Sequence, residues 1–138
     1  MKVQPFITFG GRCEEALAFY KKSVGAEVTA LMRWKESPDA AMKPPPGYEE
    51  KIMHANFRIG ETQLMADDGL GDKAAEFKGM TLAIEVADDA QATRVFTALA
   101  EGGTVKMALM KTFWTSSFGM LTDKFGVPWM VNVTAPKP

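Results

Sequence analysis

Apolar residues along the chain follow two alternating periods, and the whole pattern occurs twice. Residues 3–9 alternate and stop at Gly10-Gly11, which predicts a strand. At Cys13 the period changes. Cys13, Ala16, Leu17, Tyr20 and Val24 share one face at helical spacing, so Cys13–Val24 reads as a helix. Glu14 and Glu15 in its first turn and Lys21 and Lys22 in its last complement the helix dipole, and Gly25 is a natural stop. Residues 27–35 read as a second strand, and 51–59 and Thr62–Asp67 as a hairpin turning at Gly60-Glu61. The second half repeats the order. A strand over 80–86 precedes a helix capped by Asp88 or Asp89, with the buried stripe Ala92, Val95, Phe96 and Leu99. Gly102-Gly103 ends that helix. A strand over 104–109 and a hairpin of 114–122 with 128–134, turning near 124–126, complete the pattern.

Sliding the chain along itself until Ile7 meets Ile84 also lays Phe9 on Val86, Phe19 on Phe96, Gly25 on Gly102 and Val28 on Val105, without a gap. Such self-similarity marks a duplicated supersecondary unit, here β-α-β-β-β. In the hairpins the shift shortens. Ile59-Gly60 matches Phe125-Gly126 and Leu64 matches Met130, so the first copy carries an insertion between its second and third strands. The insertion falls in residues 36–50, where Pro38, Pro44-Pro45-Pro46 and Gly47 prevent sheet extension and predict a surface loop or flap. We read one domain, with a first module over about 1–67, a polar linker over 68–79 and a second module over about 80–138. The expected class is α+β: two tandem βαβββ modules forming a curved mixed sheet, with the helices outside and a concave pocket inside.

Composition narrows the function classes. A hydrophobic fraction of 46% and a charged fraction of 24% are ordinary for a soluble domain. A net charge of -1 supplies no basic face for nucleic acid. No run of Lys and Arg flanks an amphipathic stretch, and no stretch nears the roughly 20 apolar residues of a spanning helix, so no membrane partner is expected. Cys13 is the only cysteine, which excludes an internal disulfide and suits a reducing, cytoplasmic compartment. The 10 Met and 9 Phe read either as core filler or as the lining of a plastic apolar pocket.

Four local strings carry a resemblance: Cys13-Glu14-Glu15-Ala16 leading to Phe19-Tyr20; Lys51-Ile52-Met53-His54-Ala55; Ala98-Leu99-Ala100-Glu101-Gly102-Gly103; and Phe125-Gly126-Val127-Pro128-Trp129-Met130-Val131-Asn132. With the duplicated plan, the chain resembles the vicinal oxygen chelate superfamily of glyoxalase I, bleomycin-resistance proteins, fosfomycin-resistance enzymes and extradiol dioxygenases, in its PhnB-like branch. The resemblance implies small-molecule binding on the concave sheet and a homodimer. Some relatives bear a 3-demethylubiquinone 3-methyltransferase label, but no Gly-rich strand-to-helix loop suited to a nucleotide-like cofactor is present in this sequence. Metal-dependent members draw ligands from the first and last strand of each module. By the repeat, those positions fall at Gln4 (or Pro5), Leu64, Thr81 and Met130. Leu and a Met thioether cannot replace a carboxylate for a hard divalent ion, so neither the usual metal nor any cofactor is expected.

His54, the only histidine, is the candidate acid/base, since its ordinary pKa suits proton transfer near neutrality. A metal held by His54 with Asp67 or Asp68 is the unconventional alternative. Cys13 sits at a helix start beside Arg12, but it belongs to the buried stripe and reads as packing. Trp114 and Phe118 are candidates for an aromatic wall, and Arg33 and Trp34 for a pocket mouth. The expected pocket comprises Gln4, His54, Leu64, Thr81, Trp114, Phe118, Met130 and Asn132. Three functions compete: metal-independent small-molecule binding, a lyase, isomerase or transferase centred on His54, and a structural role with a filled cavity.

Overall fold

In each half of the chain the first strand pairs with the last. The computed structural model describes residues 1–39, 42–71 and 74–134, and the chain divides into two compact units, Met1–Ala75 and Glu76–Pro138. The first unit contains β1 (Phe6–Thr8), α1 (Cys13–Val24), β2 (Glu27–Arg33), a 3-10 turn (Trp34–Glu36), β3 (Ile52–Ile59) and β4 (Thr62–Asp67). The second contains β5 (Leu82–Val86), α2 (Asp89–Ala100), β6 (Thr104–Met110), β7 (Phe118–Thr122) and β8 (Pro128–Val133). Each unit forms a four-stranded sheet, ordered β1-β4-β3-β2 and β5-β8-β7-β6. The β1–β4 and β5–β8 pairs are parallel and the others antiparallel. The fold is thus α+β with two tandem βαβββ modules. No described helix is long and apolar enough to cross a membrane.

Each helix packs its apolar stripe on one face of its own sheet. Tyr20 of α1 is fully buried and stacks on Phe57 of β3, with ring centroids 6.4 Å apart and planes at 9°. In α2, Ala92, Val95, Phe96 and Leu99 are buried, as their spacing predicts. A Cβ added to Gly119 of β7 would lie 2.7 Å from the Phe96 ring, which fixes that side of β7 as the helix side.

The helices are capped by different means. In α2, Asp88 accepts a hydrogen bond from the Gln91 N–H at 2.8 Å, which settles the choice between Asp88 and Asp89. In α1, Arg12 makes no side-chain cap, and the Cys13 N–H instead donates to Oδ1 of Asp68 at 2.8 Å. The Ile52 N–H donates to Oδ2 of the same carboxylate at 2.6 Å. Asp68 was expected to begin a polar linker; it is buried and ties the start of α1 to β3.

Several predicted strands are trimmed. The first begins at Phe6 because Pro5 has no N–H to donate, although its carbonyl accepts from the Met65 N–H. The second ends at Arg33, where the 3-10 turn begins. The strand expected from 114 begins only at Phe118. Upstream of it, the Thr112 hydroxyl accepts from the N–H groups of Trp114 and Thr115, and the Thr115 hydroxyl donates to the Val133 carbonyl, forming a turn. Among the described residues of 36–50 there is no strand, in agreement with the proline content.

The larger correction concerns register. Phe6 pairs with Met65, and Ala83 pairs with Met130, so the counterpart of Met130 is Met65 and not Leu64. Leu64 pairs with Phe57 and Trp129 with Leu121, all four buried on the helix side. Matching Gly60 to Gly126 produced the slip. Gly60-Glu61 is the entire β3–β4 turn, whereas Gly126 lies inside a longer turn over residues 123–127. Asp123 organises that turn, accepting from the N–H groups of Phe125 and Val127 and from Nε1 of Trp129. A one-residue slip moves a side chain to the opposite face of a sheet.

Candidate functional site

The sheet face turned away from the helix is the candidate site of each module, and alternation decides which side chains it carries. In the first module, Phe6 and Thr8 of β1 lie beside Met65 and Asp67 of β4, and Asn56 of β3 pairs with Met65. His54 lies on the same face two residues before Asn56, and Met32 of β2 pairs with it. His54 Nε2 is 2.9 Å from Asn56 Oδ1, and its ring centroid is 5.8 Å from that of Phe6. With the amide oxygen as acceptor, Nε2 carries the proton and Nδ1 is the basic nitrogen of the neutral ring. Gln4, just before β1, donates through Nε2 to Gln63 Oε1 at 3.1 Å.

Asp67 was weighed in the sequence only as a possible metal ligand beside His54. Its Oδ1 is buried and has no hydrogen-bond partner among the described residues. A buried carboxylate oxygen left unpaired costs of order 1–3 kcal/mol, so this atom is a vacant acceptor on the face that carries His54.

The open face of the second module has a different chemistry. One row across the sheet reads Glu85, Asn132, Phe118 and Met110; the next reads Ala83, Met130, Met120 and Met107. Trp114 donates its indole N–H to Asn132 Oδ1 at 3.0 Å and meets Phe118 edge-on at 5.2 Å. Trp114 and Phe118 are thus in edge-on contact, and Asn132 orients the indole. Thr81 is exposed just before β5. Phe125 and Trp129 are core residues and take no part. Phe118 occupies the strand position that His54 holds in the first module.

The structure brings His54 and Gln4 to one open face and Trp114, Phe118, Met130 and Asn132 to the other, and it removes Leu64. Sequence reasoning missed Asn56, Glu85 and Met120 and omitted Met65 and Asp67 from the pocket. Counting by twos from His54 and from Met130 would have found Asn56 and, through the strand pairing, the rest.

The positions implied for a metal become Gln4, Met65, Thr81 and Met130 after the register correction. Exchanging Leu64 for Met65 adds a thioether, which suits a hard divalent ion no better than an alkyl group. Among the described residues, no three His, Cys, Asp or Glu side chains cluster to hold a metal ion. Both Asp68 oxygens are taken by backbone N–H groups, which removes it as a ligand beside His54.

A separate cleft of about 520 Å3 opens at the start of α1, lined by Arg12, Glu14, Arg33, Glu50 and Lys51 among others. Its charges are satisfied within the fold. Arg33 Nη1 lies 2.8 Å from Glu14 and donates to the Glu50 carbonyl, and this hydrogen bond holds the Glu14 carboxyl below its usual range. Arg33, expected at a pocket mouth, is thus bound to the helix. Cys13 lies beneath this region, fully buried, and burial pushes its thiol up to about 12, which makes it inert as a nucleophile.

Comparison with known proteins agrees with this architecture. Residues 1–132 match the family described as 3-demethylubiquinone-9 3-methyltransferase. Protein YjdN of Escherichia coli (strain K12) is 37% identical over 145 residues, covering 100% of this chain and 99% of that protein. The crystal structure of PA1353 from Pseudomonas aeruginosa superposes with a TM-score of 0.85 at 40% identity, covering 97% of this chain and 98% of that one. The fosfomycin resistance protein FosX of Mesorhizobium loti shares the fold at 14% identity, with a TM-score of 0.63 over 96% of this chain and 89% of its own. The chain therefore belongs to the 3-demethylubiquinone-9 3-methyltransferase family.

Proposed function

We propose that this protein binds a small organic molecule on its open sheet faces without a metal ion, as a cytoplasmic sequestering or carrier protein. The observation that carries the reading is the buried Asp67 Oδ1, without a hydrogen-bond partner among the described residues, on the face that holds His54, Asn56 and Phe6. A vacant acceptor among half-buried polar and apolar side chains calls for a ligand with a hydrogen-bond donor and an apolar body. The family's methyltransferase description does not change the reading, because Gly10-Gly11, the paired glycines between β1 and α1, lack the G-x-G-x-x-G spacing of a nucleotide-binding loop.

The test is a thermal-shift screen of small molecules in the presence of a chelator, with each ligand re-isolated and weighed by mass spectrometry. Stabilisation by a compound recovered unchanged, weakened at least about tenfold in Asp67→Asn, supports binding. Stabilisation only by divalent ions sinks it. A second reading rests on the tautomer: the bare Nδ1 of His54 suits a general base. Product formation lost in His54→Ala with the fold intact would establish that reading instead.

The proposal includes a homodimer. Strands β2 and β6 are sheet edges carrying exposed Val28, Leu31 and Met32, and Val105, Met107 and Met110. Covering such edges is a physical motive for pairing with a second copy. Light scattering of the purified chain at the mass of one copy would refute it.

A further inference from the structure

Three methionines stand side by side across the second module. Met107 of β6 pairs with Met120 of β7, and Met120 pairs with Met130 of β8. Directly opposed residues on neighbouring strands place their Cβ atoms about 4.5–5.5 Å apart on one face. The face is fixed independently: Gly119 and Leu121, which flank Met120, point to the helix side, as do Trp129 and Val131 around Met130. All three thioethers therefore lie on the open face, where helix packing does not call for them. Met107 is 41% exposed, and Met120 and Met130 are only half-buried. Met110, one row along β6, is 53% exposed and within the same patch.

We propose that Met107, Met120 and Met130 form a binding site for a soft monovalent metal ion, Cu(I), with three thioether ligands. The rotatable methionine side chains can swing three sulfurs from adjacent strands towards one point. Thioether sulfur selects Cu(I) over hard and borderline ions, which require the carboxylates and imidazoles absent from this row. A thioether carries no proton to displace, so the site keeps its affinity on acidification, unlike any site built on His54 or Cys13. Ion binding here involves no redox step. It is independent of the small-molecule reading, so either can fail alone.

The test is anaerobic competition for Cu(I) between the full chain and bathocuproine disulfonate. The expected result is transfer of one Cu(I) per chain, unmoved by excess Zn(II), with the same affinity at neutral pH and at about pH 5. Met120→Leu conserves volume and should leave the thermal midpoint of the metal-free protein nearly unchanged, while weakening Cu(I) binding at least about tenfold. X-ray absorption at the copper edge of the wild-type complex should show sulfur neighbours only. Failure of the wild type to take Cu(I) overturns the proposal. So does equal binding by the M107L/M120L/M130L variant, loss of binding on acidification, or nitrogen or oxygen neighbours at the edge. The absorption spectrum decides even if a variant fails to fold.

Discussion

The helix of the first module starts on a carboxylate supplied from elsewhere in the fold, Asp68, whereas the helix of the second starts on its own Asp88. The same contrast recurs through the two modules. Where the first has Ala26 and Ala55, the second has Gly103 and Gly119 at matching positions. Where the first sets Thr8, Asp67, His54 and Asn56 on its open face, the second sets Glu85, Asn132, Phe118 and Met120. Strand order and the bulges after Val28 and Val105 are held in common, and the registers part only at the far ends of β2 and β6, where Met32 pairs with His54 but Met110, not Leu109, pairs with Phe118. A duplicated scaffold thus keeps what backbone pairing requires. The open faces, freed from packing on a helix, have taken up different chemistries.

The sharpest break in this comparison is the register itself. If Leu64 faces the helix and Met65 the open side, Leu64→Ala costs about 2–5 kcal/mol and Met65→Ala under about 1 kcal/mol. Urea unfolding of both variants reads the difference, and equal costs would restore the slipped alignment. Next in size is the capping contrast. Asp68→Ala strands two buried N–H groups and should cost about 3 kcal/mol, against about 1 kcal/mol for Asp88→Ala at its exposed cap. Comparable losses would mean that Asp68 is no tie between α1 and β3. Smallest is the tight approach at Gly119. A Cβ there lies 2.7 Å from the Phe96 ring and 3.0 Å from Leu109, so Gly119→Ala should destabilise by about 1–3 kcal/mol. A stabilised Gly119→Ala variant would show that α2 has room to spare and that the glycine reflects no closer packing.

The architecture was legible because helix and strand periods are local properties. The stripe of α2 and the stop at Gly25, whose φ is 70°, followed directly from residue types and spacing. The sheet face of each candidate residue was legible in part. His54, Phe118, Met130 and Asn132 fall on the open faces because a strand alternates, while Leu64 falls on the helix side because the turns before β4 and β8 differ in length. Turn length is set by what the turn bonds to, and the buried carboxylate of Asp123 at the second turn is a tertiary fact. The role of Asp68 was invisible for the same reason, since its partners Cys13 and Ile52 lie far off in sequence. The interval from 114 to 117 looked like strand because its aromatic and β-branched content favours one; hydroxyl-to-backbone bonds from Thr112 and Thr115 won there.

The parallel pairing of each module's first strand with its last has a kinetic consequence. A ribosome delivers β1 long before β4, and β5 long before β8, so the opening strand of each module must wait unpaired while the hairpin it will join is still being made. Closing so long a loop is slow relative to forming β3–β4 or β7–β8, which places strand docking late on the folding path. Each module can therefore be cut at its opening strand to leave a hairpin and helix that are nearly assembled and lack only an edge. A synthetic peptide carrying the missing strand should complete it.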